Sequence, residues 1–175
     1  QMAPITRSNQ MMNLLIREYG ERIRFDGKEV LYWPSPERIA NADVRELEKK
    51  CKLGYRAKSL KSIAEAVHRG FPLLQELEKM PAQEAKAKLM ELKGIGEYSA
   101  DIVSPHPGFA LDMWSAKIFN MLIFGEKAES PRNIIPKLKK VAEDRWGQWR
   151  GYVFIYVLHD LSNLSIRFNL NLTQV

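Results

Sequence analysis

The chain has 175 residues, 45% of them hydrophobic, and a formal net charge of +6. This length fits one domain or two small lobes that share a core, and the positive charge favours an anionic partner. The single cysteine, Cys51, excludes an internal disulfide and an iron–sulfur cluster held by four cysteines of this chain. No apolar run approaches the ~20 residues of a membrane-spanning helix, so no membrane partner is expected.

The sequence of the N-terminal part predicts a helix, a turn and two capped helices. Apolar residues at three- and four-residue spacing predict a helix from Asn9 that weakens at Gly20. The apolar positions of this pattern are Met12, Leu15, Ile16, Tyr19 and Ile23. The Asp26-Gly27 pair is a turn signal, which predicts a short hairpin or a loop. Ser35, which precedes a proline, and Asp43 are predicted N-caps.

Further helices are predicted on both sides of a central glycine-containing stretch. A turn at residues 53–58 opens one helix, and residues 73–78 and 81–91 form two more. Beyond the central stretch, helices are predicted up to Gly125, over 131–144 and over about 152–161. Little strand is expected, so the predicted fold class is all-α.

Residues 92–112 are the stretch around which the chain is organised. Gly94 and Gly96 break one helix, and the next must stop before Pro105 because proline lacks the amide donor. The two glycines allow positive φ and a close backbone approach to a ligand. The unpaired amides at the start of the second helix suit a phosphate oxygen, and Ile95 is expected to plug the hairpin into the core. An ordinary helix-to-helix turn is the alternative.

This stretch resembles the motif of a known enzyme family. The run from Leu92 to Ala100, a loop rich in glycine and proline, and then Asp112 resemble the helix–hairpin–helix/Gly-Pro-Asp (HhH-GPD) DNA glycosylases. The chain is most similar to the alkylpurine (3-methyladenine DNA glycosylase II) and 8-oxoguanine branches. The resemblance implies a two-lobed helical fold over residues 1–175. Its helix–hairpin–helix would span about 82–104, and its catalytic loop and helix about 105–124.

An N-terminal β-domain precedes the helical part in several relatives. Because the chain starts at Gln1 without such a domain, we expect an N-terminal domain to be missing from it.

Asp112 is the predicted catalytic residue. Cleavage of an N-glycosidic bond builds positive charge on the sugar, and a fixed carboxylate stabilises that charge or orients the attacking water. Asp112 also suits the N-cap of the helix that follows, and the two roles can coexist. The connection from Gly96 to Asp112 is about one helical turn shorter than in the relatives.

Tyr98 predicts the type of reaction. Glycosylases that also cut the DNA backbone carry a lysine at this position, which forms a Schiff base with the sugar. Tyrosine cannot do so, and the resemblance therefore implies a monofunctional hydrolase that leaves an abasic site. Lys93 and Lys117 are the nearby lysines that would serve in the opposite case.

The resemblance also implies contacts to DNA. Tyr55 and Arg56 match a loop that probes the duplex, where the aromatic ring wedges into the stack and the arginine contacts the unpaired base. A half-buried packing tyrosine is the alternative for Tyr55. Arg7 matches a further contact to the unpaired base. The predicted contacts of the hairpin are Lys93, Gly94, Ile95, Gly96, Tyr98 and Ser99.

Two aromatic residues are predicted to form the base pocket. Trp114 is expected to stack on an extruded base, with a core position as the alternative. Phe154 lies where 8-oxoguanine enzymes place a base-reading glutamine, which favours an apolar pocket for alkylated purines.

No cofactor is expected to be required, and an iron–sulfur cluster is excluded. The family hairpin binds a monovalent cation through backbone carbonyls, so the resemblance implies K+ or Na+ on the carbonyls of Met90, Leu92 and Ile95.

The predicted function is that of a monofunctional DNA glycosylase of base-excision repair acting on a damaged, alkylated purine. The expected partner is double-stranded DNA containing a damaged base, and the protein is expected to be an intracellular monomer. Two alternatives stay open: a bifunctional 8-oxoguanine-type glycosylase/AP lyase, and a non-catalytic helix–hairpin–helix DNA-binding module.

Overall fold

The computed structural model describes residues 5–127 and 130–170, which form eleven α-helices, one short 3-10 helix and a two-stranded antiparallel sheet. The all-α prediction is confirmed, with the sheet as a minor addition. Across these described ranges, no helix has the length and apolar character needed to cross a membrane.

The helices are short, and the single β-hairpin follows the first of them. The elements before the central turn are α1 (Ile5–Tyr19), β1 (Glu21–Phe25), β2 (Lys28–Tyr32), α2 (Pro36–Ala40), α3 (Val44–Lys49), α4 (Arg56–His68), α5 (Leu74–Leu77) and α6 (Ala82–Met90). Those after it are α7 (Glu97–Val103), α8 (Met113–Phe124), α9 (Pro131–Trp146), the 3-10 helix Gly147–Trp149, α10 (Arg150–His159) and α11 (Leu161–Arg167).

The chain divides into two compact units. The first unit comprises the chain up to Leu73 together with Leu92–Gly94. The second comprises Leu74–Glu91 and the chain from Ile95 onward. Both helices of the central motif, α6 and α7, therefore belong to the second unit.

The first unit has its own apolar core, which corrects one detail of the α1 prediction. Met11 and Leu15, four residues apart on one helix face, are buried in this core. Met12 is 44% exposed, so its predicted inward position is wrong. Leu15 of the predicted pattern is buried as expected, whereas Met11 takes the buried place expected of Met12, because Met11 and Leu15 lie four residues apart on one helix face.

The β-hairpin confirms one of the two predictions for the Asp26-Gly27 turn. Both turn residues have positive φ, 49° and 70°, as a two-residue type I′ turn requires. Ile23, which the helical spacing assigned to α1, lies in β1 and is 40% exposed. That assignment is wrong because α1 ends at Tyr19, just before Gly20.

The predicted N-caps of α2 and α3 are confirmed. The Ser35 hydroxyl accepts from the Arg38 amide at 3.4 Å, and a proline occupies the first turn of α2. The Asp43 carboxylate accepts from the Glu46 amide at 3.0 Å. Each bond satisfies one amide that the helix itself leaves without a partner.

The core of the second unit is largely aromatic. The rings of Phe119 and Phe154 stack with their centroids 5.7 Å apart and an interplanar angle of 9°. Phe109 meets both of these rings edge-on, and Trp146 lies beside Phe109. Since Phe119 belongs to α8 and Phe109 to the loop before it, this cluster fixes the approach to the start of α8.

Candidate active site

The turn between α6 and α7 requires glycine at only one of its two positions. Gly94 has a φ of +99°, and a Cβ there would lie 2.6 Å from the Ser59 side chain. Gly96 is the N-cap of α7 in an extended conformation, and a Cβ there would meet nothing within 4 Å. Ile95 is only partly buried, so the prediction that it plugs the core is wrong. The reason is that the turn runs along the surface, where both flanking glycines are exposed.

The acidic residue at the start of α7 is neutralised by two lysines. Glu97 forms ion pairs with Lys139 at 2.8 Å and with Lys86 at 3.3 Å. The hydrogen bond from Lys139, together with the two lysine charges and against the effect of burial, lowers the pKa of Glu97. The carboxylate is therefore ionised at neutral pH, but its charge is offset locally.

Asp112 is the N-cap of α8, and its carboxylate is held through one oxygen. Oδ1 accepts from the amides of Trp114 at 3.1 Å and Ser115 at 2.8 Å, and from the Ser115 hydroxyl at 2.8 Å. The Ser115 hydroxyl in turn accepts from the Asp112 amide at 2.8 Å, which completes a capping box. Asp112 is exposed, so this fixed carboxylate lies at the protein surface.

Two close backbone contacts hold the loop that leads to Asp112. A Cβ on Gly151 of α10 would lie 1.7 Å from the Pro107 carbonyl oxygen. A Cβ on Gly108 would lie 2.1 Å from Asp101 Oδ1, and the Gly108 amide donates to the Asp101 carbonyl at 3.0 Å. The short connection between α7 and Asp112 is therefore held in place by packing.

Tyr98 lies in the electrostatic environment of Asp112. Its ring is partly buried and packs against the aromatic core of the second unit. Burial, and after it the charge of Asp112, raises the pKa of the Tyr98 phenol above its usual value near 10.0. At neutral pH the phenol is therefore protonated.

The two predicted base-pocket aromatics have opposite environments. Trp114, in the first turn of α8, is 45% exposed, so the alternative of a core position is wrong. Phe154 is 5% exposed and lies within the aromatic core. Direct contact between Phe154 and an extruded base does not fit this position, because neighbouring rings cover the side chain.

In the first unit, Tyr55 is 72% exposed. The alternative of a half-buried packing residue is therefore wrong. The Arg56 guanidinium lies over the Tyr55 ring, 4.6 Å from its centroid, a distance typical of a cation–π contact. Two residues just before Tyr55, Lys52 and Gly54, have φ of 56° and 55°. This sharp turn brings an exposed aromatic ring to the start of α4.

A basic groove of about 680 Å³ adjoins this turn. It is lined by Arg7 of α1, by Lys49 and Lys52, and by Gly54, with Glu48 as the acidic residue in its lining. The structure thus brings Arg7 to the turn that presents Tyr55, although the two are distant in sequence. Three cations around one groove suit a phosphate backbone.

Comparison with known proteins decides the family. The profile of the HhH-GPD superfamily base excision DNA repair proteins matches residues 1–144. The chain belongs to this superfamily. The predicted resemblance and its two suggested branches are confirmed.

Relatives of the HhH-GPD chain include enzymes of both branches. DNA-3-methyladenine glycosylase 2 of Escherichia coli (strain K12) is 27% identical over 161 residues, which are 90% of this chain and 52% of the relative. An 8-oxoguanine glycosylase/lyase of Clostridium acetobutylicum, solved with dsDNA containing cytosine opposite to 8-oxoG, has a TM-score of 0.73 at 20% identity. The match covers 93% of this chain and 56% of that one.

Another solved structure with a similar fold is the 3-methyladenine DNA-glycosylase from Archaeoglobus fulgidus. Its TM-score is 0.69 at 23% identity, with 91% of this chain and 54% of that chain covered. The HhH-GPD chain thus spans about half the length of the relatives that it matches.

Sequence reasoning missed two features of this HhH-GPD site. Ser115 was not singled out, although the spacing of three residues after Asp112 is that of a capping box. Lys49 and Lys52 lie near Cys51 in the sequence, where no motif marks them as functional. Their part in the groove with Arg7 depends on how α1 and α3 lie in the folded unit.

The cation prediction for the HhH-GPD hairpin concerns backbone atoms. Met90 is the last residue of α6, so its carbonyl is among the four that a helix leaves without an internal donor. Leu92 and Ile95 follow in the turn after α6. Among the described residues no group of three or more His, Cys, Asp or Glu side chains converges, and the K+ or Na+ site stays a prediction.

Proposed function

We propose that this HhH-GPD chain is a monofunctional DNA glycosylase of base-excision repair. It would bind double-stranded DNA as a monomer, extrude an alkylated purine and hydrolyse its N-glycosidic bond, leaving an abasic site. The observation that carries this proposal is the carboxylate of Asp112, which is fixed through Oδ1 and belongs to an exposed residue.

The chemistry requires a negative charge beside the sugar. As the bond between C1′ and the base nitrogen breaks, its electron pair leaves with the base and positive charge develops on the sugar. A carboxylate that is already oriented stabilises this charge without having to reorganise. Water then forms the new bond to C1′, and its proton passes to the carboxylate or to solvent.

The environment of Tyr98 supports hydrolysis without strand cleavage. The lyase reaction needs an amine that attacks the sugar carbon. The residue at this position offers a phenol that burial and the charge of Asp112 keep protonated. An abasic site would therefore be the end product.

The first unit supports a role in duplex distortion. Extruding a base requires a few kcal/mol, and an aromatic ring inserted into the gap offsets part of this. Tyr55 has the exposure that such a wedge needs. The groove around Arg7 and Lys52 supplies positive charge for the phosphates next to the gap.

Alkylated purines are the substrate class that the second unit favours. Alkylation on a ring nitrogen gives the purine a positive charge, which makes it a good leaving group and draws it to the face of an electron-rich ring. Trp114 offers an exposed indole two residues from Asp112. The buried Phe154 provides no amide for reading the oxidised edge of 8-oxoguanine.

The test is a strand-cleavage assay on end-labelled duplexes that each contain one lesion. The lesions are alkylated purines, hypoxanthine, uracil and 8-oxoguanine, each assayed with and without hot alkali. Asp112→Asn keeps an oxygen acceptor for the amides of Trp114 and Ser115 but removes the charge. Asp43→Asn makes the same change at the N-cap of α3 and is the matched control.

We expect breaks only after alkali, and only on duplexes with an alkylated purine. Asp112→Asn should lower the rate about 100-fold or more, while Asp43→Asn leaves it unchanged. Breaks without alkali would contradict the monofunctional assignment. Retained DNA binding without cleavage of any duplex would favour a DNA-binding module, and full activity in Asp112→Asn would contradict the role of that carboxylate.

A further inference from the structure

The start of α8 is hydrogen-bonded more extensively than helix capping requires. At the N-cap of α3, Asp43 accepts from one amide, that of Glu46, and this suffices for a cap. At the N-cap of α8, Oδ1 of Asp112 accepts from two amides and also from the Ser115 hydroxyl. The third donor is a side chain, and side-chain donors do not follow from helix geometry alone.

The Ser115 hydroxyl binds Asp112 at two points. It donates to Oδ1 at 2.8 Å and accepts from the backbone amide of the same residue at 2.8 Å. One hydroxyl therefore links the main chain and the side chain of Asp112, which restricts rotation of the carboxylate about its Cα–Cβ and Cβ–Cγ bonds. Ser115 is 1% exposed, so water does not compete for these bonds.

We infer that Ser115 is a positioning residue for the reaction proposed above, acting through Asp112. Three donors on Oδ1 fix the plane of the carboxylate, and Oδ2 would then act on the sugar or the attacking water. The inference rests on the proposed function. It adds that the rate depends on the Ser115 hydroxyl as well as on the charge of Asp112.

The inference predicts a loss of rate without a loss of DNA affinity. Ser115→Ala removes the hydroxyl, and Ser115→Cys fills the space with a weaker donor. Each should lower the single-turnover rate on an alkylated-purine duplex about tenfold, the order expected for one hydrogen bond to a charged group. Ser115→Thr keeps the hydroxyl and should stay within about threefold of the wild-type rate.

The measurements separate positioning from stability. Rates are taken at saturating enzyme and well below the unfolding midpoint of every variant, and affinity is measured by fluorescence anisotropy on a duplex with an abasic-site analogue. Ser35→Ala removes a serine cap from α2 and is the matched control, which should lower the unfolding midpoint but leave the rate unchanged. A purely structural role for Ser115 would give the same pattern as this control.

The possible results separate the inference about Ser115 from the proposed glycosylase function on which it rests. An active wild type with Ser115→Ala and Ser115→Cys within twofold of its rate overturns the inference alone. A loss of rate matched by an equal loss of DNA affinity also overturns it, because that pattern reports unfolded protein. A wild-type chain that is inactive on every lesion duplex overturns the proposed function and this inference together.

Discussion

The loop that enters α8 and the turn that enters α4 are built in opposite ways. In the first, Phe109, Ala110 and Leu111 are at most 7% exposed, and a capping box closes the start of the helix. In the second, the N-cap residue Tyr55 is 72% exposed and no side chain caps the helix. The loop before α8 is fixed on both sides. The turn before α4 is held at Cys51 and Leu53, which are buried in the core of the first unit, while its other residues are exposed.

The difference matches the work proposed for each segment. A carboxylate that stabilises a developing charge acts best when it needs no reorganisation, which favours burial and several hydrogen bonds around Asp112. A side chain that enters a base stack must lose its hydration and project from the protein surface. An exposed ring on a sharp turn meets that need at Tyr55.

The largest expected difference is between a glycine of α10 that packs on the loop before α8 and a glycine in the turn before α4. Gly151→Ala would place a methyl group 1.7 Å from the Pro107 carbonyl oxygen, which should lower the free energy of unfolding by about 3 kcal/mol. Gly54→Ala meets no atom within 4 Å and strains only a φ of +55°, with an expected loss of about 1 kcal/mol. Urea unfolding of both variants measures the difference, and equal losses would contradict the tight packing of the loop before Asp112.

Tyr55→Ala tests the role proposed for the exposed turn before α4. Removing the wedge should lower the rate of base excision about tenfold, because part of the extrusion energy is no longer offset. Stability should change by less than about 0.5 kcal/mol, as for other exposed positions. Tyr32→Ala, on an exposed tyrosine of β2 (58% exposed), is the matched control. An equal rate loss in both variants would speak against a specific wedge.

The smallest expected effect concerns the groove beside that turn. Lys52→Ala should reduce the slope of log affinity for DNA against log salt by about 0.9, since one phosphate contact is lost. Lys28→Ala removes an exposed lysine from β2 and should leave the slope unchanged. Titrations of an undamaged duplex at several salt concentrations measure both slopes, and a shared reduction would indicate a diffuse effect of net charge.

Turns, caps and helix ends could be predicted because their signals are local. Gly94 with positive φ, the N-caps at Ser35 and Asp43, and the end of α7 before Pro105 depend on residues a few positions away. The N-cap role of Asp112 was predicted for the same reason, since a carboxylate can always reach the amides two and three residues ahead. The matching family profile over residues 1–144 confirms the superfamily that this motif indicated.

Exposure was predicted less well because it depends on residues far along the chain. The sequence left Trp114 between a pocket and the core, and it placed Phe154 beside a base. In the folded second unit Trp114 lies outside the aromatic cluster, whereas Phe154 stacks on Phe119, which is 35 residues away in the sequence. Periodicity identifies an apolar residue but not the partner that covers it.

Local sequence patterns were enough to predict the helix–turn–helix around Gly94 and the aspartate that caps α8. The position and orientation of the Asp112 carboxylate depend on the tertiary structure. Its loop is fixed by the contact of Gly151 with Pro107, and its carboxylate is bound by a serine hydroxyl that is shielded from water. Turns and caps follow from bonds between near neighbours, whereas the orientation of a charged group depends on every element that packs around it.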